Sequence, residues 1–168
     1  TLSPQLAERT VTFNSASKAF NLAGLQCAYI IVKDPLIRRR IDRRVNINEV
    51  CDLNIMGATA MQSAYESGSS WLLNLNGYLR ENIDLVCDFL KKELPKAVCL
   101  KPEATYLMWI DFSAYGKSSK ELYKDFLRAK VMLSLGTEYG SEGEGFMRLN
   151  VACPRALLKQ GLLRIKQA

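Results

Sequence analysis

Hydrophobic positions recur with different periods along the chain, and the changes of period mark out its elements. Residues 10–14 (Thr-Val-Thr-Phe-Asn) read as a short strand running into a serine-rich turn. Residues 28–32 (Ala-Tyr-Ile-Ile-Val) are apolar on both faces, as expected of a strand buried within a sheet. Asp34-Pro35 then opens a helix in which Ile37, Ile41 and Val45 recur every fourth position. Residues 53–67, rich in Ala, Met and Ser, predict a closely packed helix with a glycine cap at Gly68. A longer helix is predicted from Ser70 to Leu94, because Leu72, Leu75, Leu79, Ile83, Val86 and Leu90 follow at spacings of three and four before Pro95. It would be about 36 Å long, enough to link two domains. Beyond Pro95, strands are predicted at 105–112, 131–135 and 146–152. Ser118 and Glu121 form the capping box of a helix that should bury Leu122, Phe126 and Leu127. A last helix has Pro154 in its first turn and Leu158, Leu162 and Ile165 along one face.

The second half therefore reads as a compact α/β unit. The first half does not stand alone, since a strand buried on both faces needs neighbours that two strands and three helices do not supply. With no Met at its start, the sequence reads as a C-terminal fragment that begins in the middle of a larger domain.

Composition narrows the chemistry further. The 168 residues are 48% hydrophobic and 24% charged, which excludes disordered, collagenous and disulfide-scaffold classes. No apolar run approaches the roughly 20 residues of a membrane-spanning helix, and no signal-peptide pattern is present. Histidine is absent, which removes Ser-His-Asp and Cys-His catalysis and His-ligated zinc from this chain, and no metal site is expected. The five cysteines are widely spaced without a Cys-x-x-Cys pair, the usage of a reduced, cytoplasmic protein. The net charge of +6 is mostly local: residues 38–44 carry five arginines against one aspartate. On an amphipathic helix these arginines form a wet face or a subunit contact, and no interleaved aromatics argue for nucleic acid.

Two clusters remain as candidates for chemistry. The first is Asn14-Ser15-Ala16-Ser17-Lys18-Ala19-Phe20-Asn21, directly after a strand. Its Ser15-x-x-Lys18 matches the serine β-lactamase motif, but the Ser-Asp-Asn and Lys-Thr-Gly elements of that family are missing. A lysine held in a partly desolvated pocket can form a Schiff base, and hydroxyls one and three residues earlier can donate to a phosphate from a tight turn. The alternative is an exposed loop lysine beside two turn-forming serines. The second cluster is Gly143-Glu144-Gly145-Phe146-Met147-Arg148-Leu149-Asn150. On a strand, Arg148 and Asn150 face opposite to Met147 and Leu149, and an arginine fixed there suits a carboxylate. The alternative is an edge-strand arginine in solvent. The glycines at 136, 140, 143 and 145 precede a strand rather than a helix, so they do not make a dinucleotide loop.

Together these stretches are recognisable. Ser15-Ala16-Ser17-Lys18-Ala19-Phe20-Asn21-Leu22-Ala23-Gly24-Leu25 resembles the cofactor-lysine segment of fold-type I pyridoxal-phosphate enzymes, the class I/II aminotransferase superfamily. Gly145 to Arg155 resembles the carboxylate-binding segment of that superfamily, and Pro102 to Asp111 the strand that opens its small domain. The resemblance spans the chain and is nearest to the bacterial cystathionine β-lyase (C–S lyase) branch. It implies an α/β fold, the C-terminal part of the aspartate aminotransferase-like architecture. Residues 1–68 would end the large, cofactor-binding domain, and 69–168 would hold the interdomain helix and the small domain. It implies pyridoxal 5'-phosphate as cofactor, an amino-acid substrate and a homodimer.

By the same resemblance, Lys18 would form the Schiff base with the cofactor and then remove the substrate Cα proton. Ser15 and Ser17 would contact the cofactor phosphate, Arg148 would hold the substrate carboxylate, and Asn150 and Tyr106 would line or support that site. Loss of the sulfur at Cβ would then give pyruvate and ammonia. Many aminotransferases carry an arginine eight residues after the lysine. Here that position is Gln26, which fits the lyase branch better than a plain aminotransferase. Only 17 residues precede Lys18, so the cofactor-binding elements that come earlier in the family are not in this sequence, and the fragment alone is expected to be inactive. A class I/II aminotransferase is the alternative reaction, and a degenerate truncated paralogue serving as an interaction module is the non-enzymatic one.

Overall fold

A computed structural model describes residues 3–49 and 51–168 of the chain. It divides into two compact units, Thr1–Asn74 and Leu75–Ala168. The division falls inside the long helix, six residues beyond the 68/69 boundary expected from the sequence.

The first unit opens with the short helix α1 (Pro4–Glu8), capped by the Ser3 hydroxyl. Strands β1 (Val11–Asn14) and β2 (Tyr29–Val32) pair antiparallel, with Val11 opposite Val32 and Asn14 opposite Tyr29. The expectation that 28–32 is buried on both faces is corrected: Ile30 and Ile31 are exposed and only Val32 is buried. The sheet holds two strands, and Val32 is its one buried position on β2, so the other β2 residues have at most partial cover among the described residues. Helix α2 (Pro35–Asn46) starts where expected, since Asp34 accepts from the amides of Leu36 and Ile37 and Pro35 needs no donor. Its half-buried positions include Ile37, Ile41 and Val45, and its arginines lie on the exposed side. Helix α3 (Ile55–Ser67) is capped by Asn54, whose amide also reaches back 2.8 Å to the Leu25 carbonyl. Gly68 ends it in an ordinary helical conformation rather than a left-handed cap. Glycine is required there by contact: a Cβ would strike the Ala64 carbonyl and the Phe20 ring.

Helix α4 (Ser69–Glu93) follows at once. In the second unit its later turns join the helices α5 (Ser119–Arg128) and α6 (Arg155–Gln167) around a sheet. The strands are β3 (Val98–Cys99), β4 (Leu107–Asp111), β5 (Ser134–Leu135) and β6 (Phe146–Asn150), in the antiparallel order β3-β4-β6-β5. Alternation places Met108 and Ile110 of β4 and Met147 and Leu149 of β6 on the covered face. They pack with Val86 and Leu90 of α4, Leu122 and Phe126 of α5, and Leu158, Leu162 and Ile165 of α6. Each fully buried side chain of this size contributes about 1.5–3 kcal/mol, so this layer is the main source of the unit's stability. Leu127 of α5 was expected inside but is 44% exposed, because it lies off the stripe that Leu122 and Phe126 define. Among the described residues no helix is long and apolar enough to cross a membrane.

Candidate functional site

Lys18 lies in the connection between the paired strands β1 and β2. After Asn14 the chain enters a tight turn, closed by the Phe20 amide on the Ala16 carbonyl (3.0 Å) and the Leu22 amide on the Ser17 carbonyl (3.0 Å). The Asn14 side chain accepts from the Ser15 amide at 2.8 Å, and Asn21 leaves the turn with a left-handed φ of 55°. Two side chains flanking Lys18 pin the turn: Ala16 is buried, and Phe20 stacks on Trp71 (6.0 Å) and meets Tyr65 edge-on (6.1 Å). Lys18 itself is exposed between them, while Ser15 and Ser17 are half-buried. No acid pairs with Lys18 among the described residues. The Tyr29 hydroxyl, 3.2 Å from that of Tyr65, raises the Tyr65 phenol above its ordinary range through that hydrogen bond, so Tyr65 stays neutral. Gln26 caps the following 3-10 turn in a left-handed conformation (φ 50°) and puts no charge on this loop.

Arg148 sits on β6, an inner strand, between Trp109 of β4 and Ser134 of β5. It is half-buried on the face that the helices leave open. Its Nη2 donates to the Ser134 hydroxyl at 3.0 Å, and its guanidinium lies 4.9 Å from the centre of the Tyr139 ring. Trp109 stacks on Phe146 (5.7 Å) and meets Tyr139 edge-on (5.7 Å), so the arginine stands beside an aromatic wall. The loop before β6 is equally determined. Gly145 takes φ 81°, a conformation costly for other residues, and its amide donates to the buried Ser119 hydroxyl at 2.7 Å. The Glu144 carboxylate accepts from the Ser119 amide at the start of α5, where the helix dipole favours a negative group.

Past β6, the fully buried Asn82 of α4 donates to the carbonyls of Val151 (2.9 Å) and Cys153 (3.1 Å). It accepts from Arg155 Nε at 3.1 Å, and Arg155 also binds Glu81 (2.6 Å) and lies over the Tyr78 ring. Arg155 is therefore fully engaged in structure. Arg148 has no acid partner among the described residues and is held only by a neutral hydroxyl and a ring, so its charge is free for an incoming carboxylate.

The other predicted residues divide differently. Asn150 is exposed, and its Oδ1 accepts from the Ala152 amide at 2.8 Å, so it shapes the strand end rather than holding Arg148. Tyr106 packs against the hydrophobic core and its carbonyl receives the Val151 amide. Ser134 and Trp109 were not assigned from the sequence, whereas Tyr139, in the glycine-rich loop, was a candidate pocket residue that the sequence could not place. Of the first two, only Trp109 carried a signal, its alternation with Met108 and Ile110. No group of three or more His, Cys, Asp or Glu side chains able to hold a metal occurs among the described residues.

The residues match a family model described as aminotransferase class I and II over positions 1–165. The chain is 46% identical over 168 residues to the cystathionine beta-lyase PatB of Bacillus subtilis (strain 168), taking in 99% of this chain and 43% of that protein. Among solved structures, cystalysin from Treponema denticola, which contains pyridoxal 5'-phosphate, superposes with a TM-score of 0.94 at 30% identity, covering 99% of this chain and 42% of that one. The PLP-bound C–S lyase from Staphylococcus hominis does so with a TM-score of 0.84 at 38% identity, covering 95% and 41%. The chain thus spans less than half the length of these relatives.

Proposed function

This chain belongs to the class I and II aminotransferase family, and from that premise we propose that it carries the cofactor lysine and the carboxylate-binding arginine of a pyridoxal-phosphate enzyme that cleaves C–S bonds of amino acids such as cystathionine. The residues present fit that cofactor: Lys18 offers an amine without an acid partner among the described residues, on a fixed turn, and the half-buried Ser15 and Ser17 offer hydroxyl donors for a phosphate. When bound, pyridoxal phosphate serves as the electron sink that makes the substrate Cα–H bond acidic.

The rest falls to the protein. Lys18 Nζ would hold the cofactor and, as a free amine, would take the substrate Cα proton. Arg148, restrained by Ser134 and Tyr139, pairs with the substrate carboxylate and so fixes the direction of the Cα–H bond. The Cβ–S electron pair leaves with sulfur, which takes a proton to become a thiol, and water releases pyruvate and ammonia. Gln26 leaves the phosphate charge to donors outside its own position. The observation that carries this reading is the half-buried Arg148, anchored on an inner strand without an acid partner among the described residues. We take the full-length protein to be a homodimer, which light scattering would test.

The deciding experiment gives cystathionine to the full-length, cofactor-loaded protein. Equal amounts of pyruvate, ammonia and homocysteine are expected. A keto acid with its carbon skeleton intact would make the reaction a transamination and leave the residue roles standing. A protein that never acquires the absorbance of bound cofactor would overturn the reading altogether.

A further inference from the structure

The geometry points to Cys87 and Cys99 as a redox-active dithiol that a small hydroperoxide converts into an intrachain disulfide. This stands apart from the lysine and arginine chemistry, because both sulfurs belong to the second unit and neither touches Arg148 or its anchors. Cys87 lies on α4, directly after the buried Val86, and Cys99 lies on the edge strand β3 opposite Ile110 of β4. The Cys87 thiol donates to Cys99 Sγ at 3.9 Å, and Cys99 Sγ lies 3.7 Å from the Leu100 carbonyl, to which its own thiol donates. The two donations run in series, so a Cys99 sulfur lone pair already faces Cys87. It is the one pair of cysteines in such contact among the described residues; Cys27 is buried against Met61, and Cys51 is exposed.

A disulfide needs the sulfurs about 2.0 Å apart, so the pair must close by roughly 1.9 Å. Edge strand β3 is two residues long and bonded on one side only, which makes it the part of the sheet best able to yield. Both sulfurs are half-buried and open onto a groove of about 490 Å³ lined also by Asp88, Lys91, Pro95 and Lys101, wide enough for a small peroxide. Burial, with Cys87 beside it, pushes the Cys99 thiol up to about 12. Cys99 therefore keeps its proton, and Cys87 reacts first.

The Cys87 sulfur attacks the peroxide oxygen; an S–O bond forms, the O–O bond breaks, and the alcohol leaves with the thiol proton. Cys99 then attacks that sulfur, forming the S–S bond as the S–O bond breaks, and its proton leaves with the hydroxide as water. Two thiols and one hydroperoxide thus give one disulfide, one alcohol and one water. The product clamps β3 to α4.

The test treats the full-length protein with tert-butyl hydroperoxide, alkylates the remaining thiols, digests it and maps cysteines by mass spectrometry. A Cys87–Cys99 cross-linked peptide, about 2 Da lighter than its reduced parts and restored by dithiothreitol, is expected. In Cys99→Ser, Cys87 should be trapped as a sulfenic acid by dimedone. Alkylation of both thiols after peroxide, oxidation of each to its own sulfinic acid, or pairing with another cysteine would overturn the proposal.

Discussion

Replacing Asn82 with leucine tests how the arginine strand is held. Asn82 is completely buried, and its amide bridges α4 to the two carbonyls, Val151 and Cys153, through which β6 turns towards α6. Leucine fills the space but leaves both carbonyls without this donor, at roughly 1–2 kcal/mol each. It also removes the acceptor of Arg155 Nε, worth about 1 kcal/mol because that side chain is one-third exposed and can turn to water. The expected loss is about 3–5 kcal/mol, a large share of the roughly 5–15 kcal/mol that holds a domain together. Urea unfolding followed by Trp109 fluorescence, in a Trp71→Phe background, reads this change in the second unit. With a slope of about 1.5 kcal/mol per molar, the midpoint should fall by about 2–3 M. Asn150→Ala, which removes one hydrogen bond at an exposed position, serves as the control and should shift it by less than about 0.7 M. A shift for Asn82→Leu no larger than the control's would refute the argument that the buried amide fixes the strand end.

Four further outcomes are expected. Lys18→Ala in the full-length protein should abolish both the covalent cofactor absorbance and turnover; retained activity would sink the lysine's role. Tyr139→Ala removes the ring beneath Arg148, about 1 kcal/mol at a half-exposed site, so KM should rise about fivefold with kcat little changed. Tyr139→Phe should restore the KM, and failure to do so would assign the effect to the hydroxyl. Gly68→Ala forces Phe20 off its place and should cost about 1–3 kcal/mol, with a changed Trp71 emission; an unchanged spectrum would mean that the turn carrying Lys18 is not pinned there. Glu93 is held below the usual carboxylate range by its hydrogen bond from Lys166. A lowered folded-state value stabilises above the unfolded value and is lost as pH falls through the folded one. The small stability difference between wild type and Lys166→Met should therefore shrink as pH falls below the ordinary glutamate value of about 4.3 and vanish once Glu93 is protonated in the folded state; a difference that grows in acid would reverse the sign.

Much of this molecule is written in local pattern. The capping box at Ser118 and Glu121, the Asp34-Pro35 start of α2 and the stripes of α4 and α6 depend on residues three or four positions apart, so they were legible one segment at a time. Lys18 and Arg148 were singled out as candidates the same way, through contiguous motifs on a turn and a strand. Burial was not legible for 28–32, because a strand's cover comes from neighbours distant in sequence, and here β1 alone pairs with it. Asn82 lay in plain view as a polar residue in an apolar stripe, yet its partners are about 70 residues away. The anchors of Arg148 show the same division. Alternation along β6 determined which way the arginine faces, but only the pairing of β5 with β6 and the fold of the loop to Tyr139 decided what stands beside it. Side-chain direction is a property of one segment's backbone geometry, whereas a guanidinium's partners depend on contacts that form only when distant segments close around the core.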